Sequence, residues 1–211
     1  MYILTNTIEF PPVTCADSDG LLAIGGDLSV DRLLKAYHQG IFPWYNEDQP
    51  ILWFSPDPRM VLFPTELKVS KSMRQLIRKN RFEVTFNKDF ENVIDNCAKI
   101  SRPEQEGSWI TGDMKQAYTK LHELGHAISV EVWDESKLVG GLYGVLLNDV
   151  NVFCGESMFS KVSNASKYGF IALVEWLKEK EIKIIDCQVY TEHLASLGGK
   201  EIPREEFLSY L

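Results

Sequence analysis

The stretch from Ile128 to Cys154 constrains the fold more than any other part of the chain. Ile128, Val130 and Val132 alternate with Ser129, Glu131 and Trp133, the two-residue period of a strand. Turn residues from Asp134 to Lys137 lead into the apolar run Leu138 to Leu147, and Asn148-Asp149 makes a second tight turn before Val150 to Cys154. Three strands joined by two short turns predict an antiparallel meander. Helical patterns surround it. Ser29 is placed to cap a helix with Asp31 in its first turn, Leu33, Leu34 and Tyr37 inward, and Gly40 beyond its end. Ser70, Asp89 and Thr111 precede the stripes Met73/Leu76/Ile77, Phe90/Val93/Ile94/Cys97 and Met114/Ala117/Tyr118/Leu121, the last closed by Gly125. A helix from about Asn164 to Lys180 then leads to a strand from Ile182 to Val189. This order predicts an α+β fold on one largely antiparallel sheet. Pro56, Pro58 and Pro64 argue against a regular central element between them and place a boundary near Pro64, giving a small N-terminal domain (1–64) and a larger second one (65–211).

Composition narrows the function. Hydrophobic residues make up 45% and charged residues 25% of the 211, ordinary globular values. No apolar run approaches the roughly 20 residues that span a bilayer, so no membrane association is expected. The segment from Met1 to Pro12 lacks a secretory pattern, which makes the cytoplasm the expected compartment. The four cysteines, Cys15, Cys97, Cys154 and Cys187, show neither paired-ligand spacing nor disulfide density. A net charge of -8 argues against indiscriminate nucleic-acid binding. A local basic patch nevertheless exists at Lys71, Arg74, Arg78, Lys79 and Arg81, with helical spacing that puts the first three on one face. It is either a phosphate-binding surface or a solvated helix face.

Several motifs resemble chemistry without supporting it. His122-Glu123-Leu124-Gly125-His126 matches a zinc-protease pattern, but Gly125 followed by a strand ends the helix before His126, so no metal is expected there. Gly155-Glu-Ser157-Met-Phe159 lacks the second glycine of a serine nucleophile elbow. Gly140, Gly141 and Gly144 fall inside a strand, where they mark close approach of a backbone or a ligand, not a phosphate loop.

Alternation in the last long strand sends Asp186 and Gln188 to the same side of the sheet. A carboxylate accepting from a carboxamide N–H would leave the amide oxygen available to an incoming amine. A structural polar pair at a strand end is the alternative. Glu156 follows the third strand of the meander, where a cleft would open. Trp44, Trp53, Trp109 and Tyr118 lie in or beside loops, placed either to stack on bases or to fill a core.

The strings Gly20-Leu-Leu-Ala-Ile-Gly-Gly-Asp-Leu28, Gly40-Ile-Phe-Pro-Trp44, Trp53-Phe-Ser-Pro-Asp-Pro-Arg59, Gly155-Glu-Ser-Met-Phe-Ser160, Asn164-Ala-Ser-Lys167, Ile185-Asp-Cys-Gln188 and Ala195-Ser-Leu-Gly198 closely resemble the bacterial leucyl/phenylalanyl-tRNA–protein transferases. The resemblance runs from about residue 10 to the C-terminus. It implies a small N-terminal α/β domain plus a GNAT acyltransferase-like domain, working as a monomer with no metal or nucleotide cofactor. It implies transfer of Leu or Phe, sometimes Met, from aminoacyl-tRNA to proteins beginning with Arg or Lys, which marks them for N-end rule degradation. Carried over by position, Trp44 and Trp109 would stack on the terminal adenosine, and Leu142 and Phe153 would line the aminoacyl pocket. Tyr118 and Glu156 would hold the polar ends of the substrates. Asp186 and Gln188 would guide and deprotonate the attacking amine. A thioester-dependent acyltransferase and a non-catalytic tRNA-binding module remain the alternatives.

Overall fold

The computed structural model describes residues 2–100 and 109–211. The N-terminal part holds β1 (Tyr2–Leu4), β2 (Leu21–Gly25), α1 (Val30–Tyr37), β3 (Phe42–Pro43) and β4 (Leu52–Phe54), with the strands in the order β1-β2-β4-β3. The chain then supplies β5 (Arg59–Leu62), α2 (Lys71–Arg78), β6 (Glu83–Phe86), α3 (Phe90–Lys99), α4 (Gly112–Glu123), β7 (Ala127–Asp134), β8 (Lys137–Leu147) and β9 (Val152–Ser160). It ends with α5 (Ala165–Glu179), β10 (Ile184–Gln188), α6 (Glu192–Ser196), β11 (Lys200–Ile202) and α7 (Arg204–Leu208). The second sheet has seven strands in the order β11-β5-β10-β9-β8-β7-β6. Among the described residues no helix is long and apolar enough to cross a membrane.

The meander forms as expected, with β7, β8 and β9 antiparallel in sequence. The expectation of a third strand ending at Cys154 is corrected, because β9 runs on to Ser160 and carries Glu156 within it. Among the described residues the only parallel pairing in this sheet joins β10 to β9, and the crossover between them is α5. Every other described pair in it is antiparallel. The proline argument also needs correcting. Pro58 and Pro64 stand just outside β5, so its four residues keep every N–H, and the strand sits between β10 and β11 in the larger sheet. The passage from one sheet to the other therefore falls at residues 55–58, ahead of Pro64.

Local signals explain some helix starts, although Ser29 precedes α1 without making the expected side-chain cap. Ser70 and Thr111 accept the N–H groups of Met73 and Met114. Asp89 bonds instead to the Asn92 amide, and the start of α3 is served by the buried Glu131, which accepts from the N–H groups of Lys88 and Asp89 and the hydroxyls of Thr85 and Ser129. One core joins α1, the small sheet, α3 and α4 to one face of the large sheet; a second core packs α5 on the other face.

Two glycines show different needs. Gly125 takes φ +80° past the end of α4, with open space where a Cβ would stand. At Gly144 a Cβ would lie 2.3 Å from the Cys154 carbonyl oxygen and 2.4 Å from the Phe153 ring. The close approach expected of the strand glycines is made by a neighbouring strand at Gly141 and Gly144 and by Ala165 of α5 at Gly140. Gly144→Ala should cost roughly 3 kcal/mol through overpacking, against about 1 kcal/mol of backbone strain for Gly125→Ala. Urea unfolding of both variants measures the difference, and equal losses would contradict it.

Candidate active site

Two irregularities in adjacent strands build the site. In β9, Tyr143 of β8 pairs with Ser157 and Gly144 pairs with Gly155, so Glu156 is the extra residue of a bulge. In β10, Asp186 pairs with Val61 and Gln188 with Met60, which makes Cys187 the extra residue. The last parallel pair is Asp186 with Cys154, and beyond it β9 and β10 are no longer paired. Gln188 adopts φ +65°, a left-handed conformation uncommon for a residue with a side chain. A cleft of about 880 Å³ opens there, lined by residues from both faces of the sheet.

One end of the cleft is polar. Gln188 Nε2 donates to Glu156 Oε1 at 2.9 Å, and the Tyr37 hydroxyl donates to the same oxygen at 2.8 Å. The Tyr118 hydroxyl lies 3.0 Å from Oε2, and the two tyrosine hydroxyls are in contact with each other; each carries one proton, so all three contacts are filled together only when the carboxyl is protonated. Burial pushes the Glu156 carboxyl up to about 7, against the pull of the Tyr37 and Tyr118 bonds, while the charge on nearby Asp186 adds to the rise. Burial also holds both tyrosines well above the ordinary phenol range, so they are neutral donors. The adjoining chamber is apolar, with Leu142, Phe153, Phe170, Leu173 and Ile185 among its walls.

The expected bond between Asp186 and the Gln188 carboxamide is not formed. Asp186 is buried and faces Arg59, which donates through Nε at 2.8 Å and Nη2 at 2.7 Å. Its Oδ1 also accepts the main-chain N–H of Gln188 at 2.9 Å. The bulge removes the simple alternation that would have brought the two side chains together, and Glu156 takes the carboxamide instead. Arg59 in turn lies against the rings of Phe42 and Phe207 and donates to the Gly40 carbonyl at 3.2 Å.

Trp44, Trp109, Leu142, Phe153, Glu156 and Gln188 all line the cleft, while Tyr118 and Asp186 stand behind its wall. Trp53 is fully buried and donates to the Gly25 carbonyl, a core role. Sequence reasoning treated Tyr37 only as an inward-facing helix residue and gave Arg59 no role. A lone Arg opening the apolar run Arg59-Met-Val-Leu62 was the available signal. The basic residues Lys71, Arg74, Arg78 and Lys79 are exposed, but none lines the cleft; Arg81 is engaged by Asp134 in a two-bond fork. The pattern around His122 resolves as expected: α4 ends at Glu123, and His122 stacks on Phe90 with Nδ1 against the Ala127 carbonyl.

The family model of the leucyl/phenylalanyl-tRNA protein transferase matches residues 61–211, and that of its N-terminal domain matches 26–57. The chain belongs to the leucyl/phenylalanyl-tRNA protein transferase family. It is thereby an aminoacyltransferase. A leucyl/phenylalanyl-tRNA–protein transferase of Christiangramia forsetii is 60% identical over all of both chains. One of Flavobacterium johnsoniae is 59% identical over all of this chain and 99% of its own. Among solved structures, that of L-PGS from Bacillus licheniformis aligns with TM-score 0.44 and 14% identity, covering 83% of this chain and 57% of that one, too distant to bear on the site.

The raised Glu156 carboxyl has a consequence for stability. Between its ordinary 4.5 and about 7 the folded chain keeps a proton that the unfolded chain has lost. The stabilisation associated with Glu156 is therefore complete below about pH 4.5 and is lost as pH rises towards 7. Relative to Glu156→Gln, the protein should lose on the order of 2 kcal/mol between about pH 5 and pH 8, less than the full linkage value because the group borders an open cleft. Urea unfolding at the two pH values checks this, and parallel behaviour of the two proteins would contradict it.

Proposed function

We propose that the cleft transfers leucine or phenylalanine, and less often methionine, from aminoacyl-tRNA to acceptor proteins beginning with Arg or Lys, marking them for N-end rule degradation. The observation that carries this reading is the junction of an apolar chamber with the Glu156–Gln188 pair. The chamber suits a Leu or Phe side chain, and the pair suits the amine that attacks it. Trp44 and Trp109, both lining the cleft, serve as the faces on which the terminal adenosine stacks. The exposed Lys71, Arg74, Arg78 and Lys79 offer phosphate contacts away from the cleft. The division into a small N-terminal part and a GNAT-like catalytic part belongs to the same reading, supported by the mixed sheet with its parallel step from β9 to β10; β5 goes with the catalytic part.

The chemistry needed is modest. An aminoacyl ester is already activated, and an α-ammonium of pKa roughly 7.7 to 8.0 is partly neutral near pH 7. The acceptor ammonium sheds one proton, its nitrogen bonds to the ester carbonyl carbon, and the bond from that carbon to the ribose oxygen breaks. The ribose oxygen leaves as a hydroxyl, taking the second proton from nitrogen. Because Glu156 occupies the Gln188 N–H, the amide oxygen remains to accept from the amine. Glu156 lies close enough to the amine pKa to act as the proton acceptor. Positioning of the two substrates supplies most of the rate. Apolar contacts separate side chains by only about 1 to 3 kcal/mol, so selection among amino acids is graded.

Transfer of radiolabelled leucine from charged tRNA to a peptide beginning with Arg, beside one beginning with Ala, tests this. Label is expected on the Arg peptide alone. Binding of charged tRNA with no label on either peptide would replace the reading with that of a tRNA-binding module.

A further inference from the structure

Tyr37 is the last residue of α1, an element of the N-terminal part, yet its hydroxyl reaches a carboxylate in the middle of the large sheet. The segment that follows it is held at two points. His38 sits between the Leu34 carbonyl at 2.8 Å and Asp149 at 2.9 Å, and the Gly40 carbonyl accepts from Arg59. Such fixation is more than a core tyrosine needs. It directs one hydroxyl at one carboxylate oxygen.

The three contacts among Tyr37, Tyr118 and Glu156 form a closed triangle. With Glu156 ionised, two protons serve three edges: both hydroxyls donate to it, one to each oxygen, and the contact between the tyrosines is left without a proton. With Glu156 protonated, three protons serve three edges: the carboxyl donates to one tyrosine, that tyrosine to the other, and the second back to the carboxyl. In both states each tyrosine keeps its contact with a carboxyl oxygen, and the added proton fills the edge between the two hydroxyls. A group that takes up and releases a proton while holding Gln188 in place requires this property.

We propose that Tyr37 is a positioning residue for the transfer reaction, holding Glu156 in one place whether or not the carboxyl carries the proton shed by the acceptor amine. The inference rests on the reading of the cleft as the transfer site. In the step concerned, an N–H bond of the acceptor ammonium breaks and an O–H bond forms on Glu156. The neutral amine then attacks, and the stored proton returns to solvent once the product has left. Among the described residues, the groups that bear on Glu156 are Tyr37 from α1, Tyr118 from α4, Asp186 with its Arg59 partner and Gln188 from β10, and Cys154 from its own strand; Tyr143 of β8 acts on Tyr118. Of these only the two tyrosines and Gln188 bond to the carboxyl.

The test is single-turnover transfer to the Arg peptide for wild type, Tyr37→Phe, Glu156→Gln and the double variant, measured from about pH 5.5 to pH 8.5. Tyr37→Phe should lower kcat about tenfold and leave KM for charged tRNA within about twofold. It should raise the midpoint of the rising limb by about half a pH unit, because the ionised carboxyl has lost a charge-assisted donor. In the Glu156→Gln background the same substitution should change the rate by less than about twofold, since its route of action is already gone. An unmoved midpoint, a rise in KM alone, or an equal loss in both backgrounds would overturn the proposal. If Tyr37→Phe does not melt cooperatively, Tyr118→Phe carries the same test from the opposite edge of the triangle, with the same midpoint shift expected. Wild-type transfer by Glu156→Gln would overturn the underlying reading as well, whereas a silent Tyr37→Phe beside a crippled Glu156→Gln would overturn the positioning role alone.

Discussion

The ion pair between Arg59 and Asp186 is the interaction on which the rest depends. Both side chains are only 1% exposed, and a buried charge left without its partner costs about 3 to 5 kcal/mol. The pair is satisfied almost completely. Arg59 gives two donors to Asp186 and one to Gly40, and its planar face meets two aromatic rings. Asp186 uses an oxygen that remains to accept the Gln188 N–H, which holds that residue in its left-handed conformation. One guanidinium therefore ties together β5, β10, the segment that follows α1 and the C-terminal helix α7. The wall that carries Gln188 and the wall that carries Trp44 are set against the same fixed point.

From this follows a division of labour between two carboxylates. Asp186 is enclosed, paired and aimed at backbone, whereas Glu156 meets only neutral donors and borders the cleft. Opposed environments push two chemically similar groups towards different tasks. The first organises the strand end. The second keeps a carboxyl near the protonation range of an amine.

Much of the fold was legible in the sequence because its signals are local. Period-two alternation from Ile128, the turn residues after Trp133 and Leu147, and the capping residues Ser70 and Thr111 each act over a few positions, and the structure honours them. β5 was illegible for a physical reason: Pro56, Pro58 and Pro64 read as breakers, but a strand of four residues needs only the space between two of them. Its place in the large sheet is fixed by Arg59 and a strand more than a hundred positions away, which no local pattern records. The site was half legible. Asp186, Gln188 and Glu156 were recognised as residues, but their bonding was not. Strand alternation presupposes an unbroken ladder, and the two bulges that re-aim these side chains leave no clear mark in the sequence. Tyr37 was hidden by the opposite effect, since a tyrosine in an apolar stripe reads as core whichever way its hydroxyl points.

Asp186 holds the backbone of Gln188, and the Arg59 fork holds Asp186. The direct measurement is the single-turnover transfer rate of Arg59→Lys at saturating charged tRNA. Lysine keeps the charge but cannot grip both carboxylate oxygens. The account predicts a rate lowered at least about tenfold, with affinity for charged tRNA unchanged. A rate equal to or above that of wild type would mean that the two-bond fork is not needed to place Gln188, and would contradict this role for Arg59.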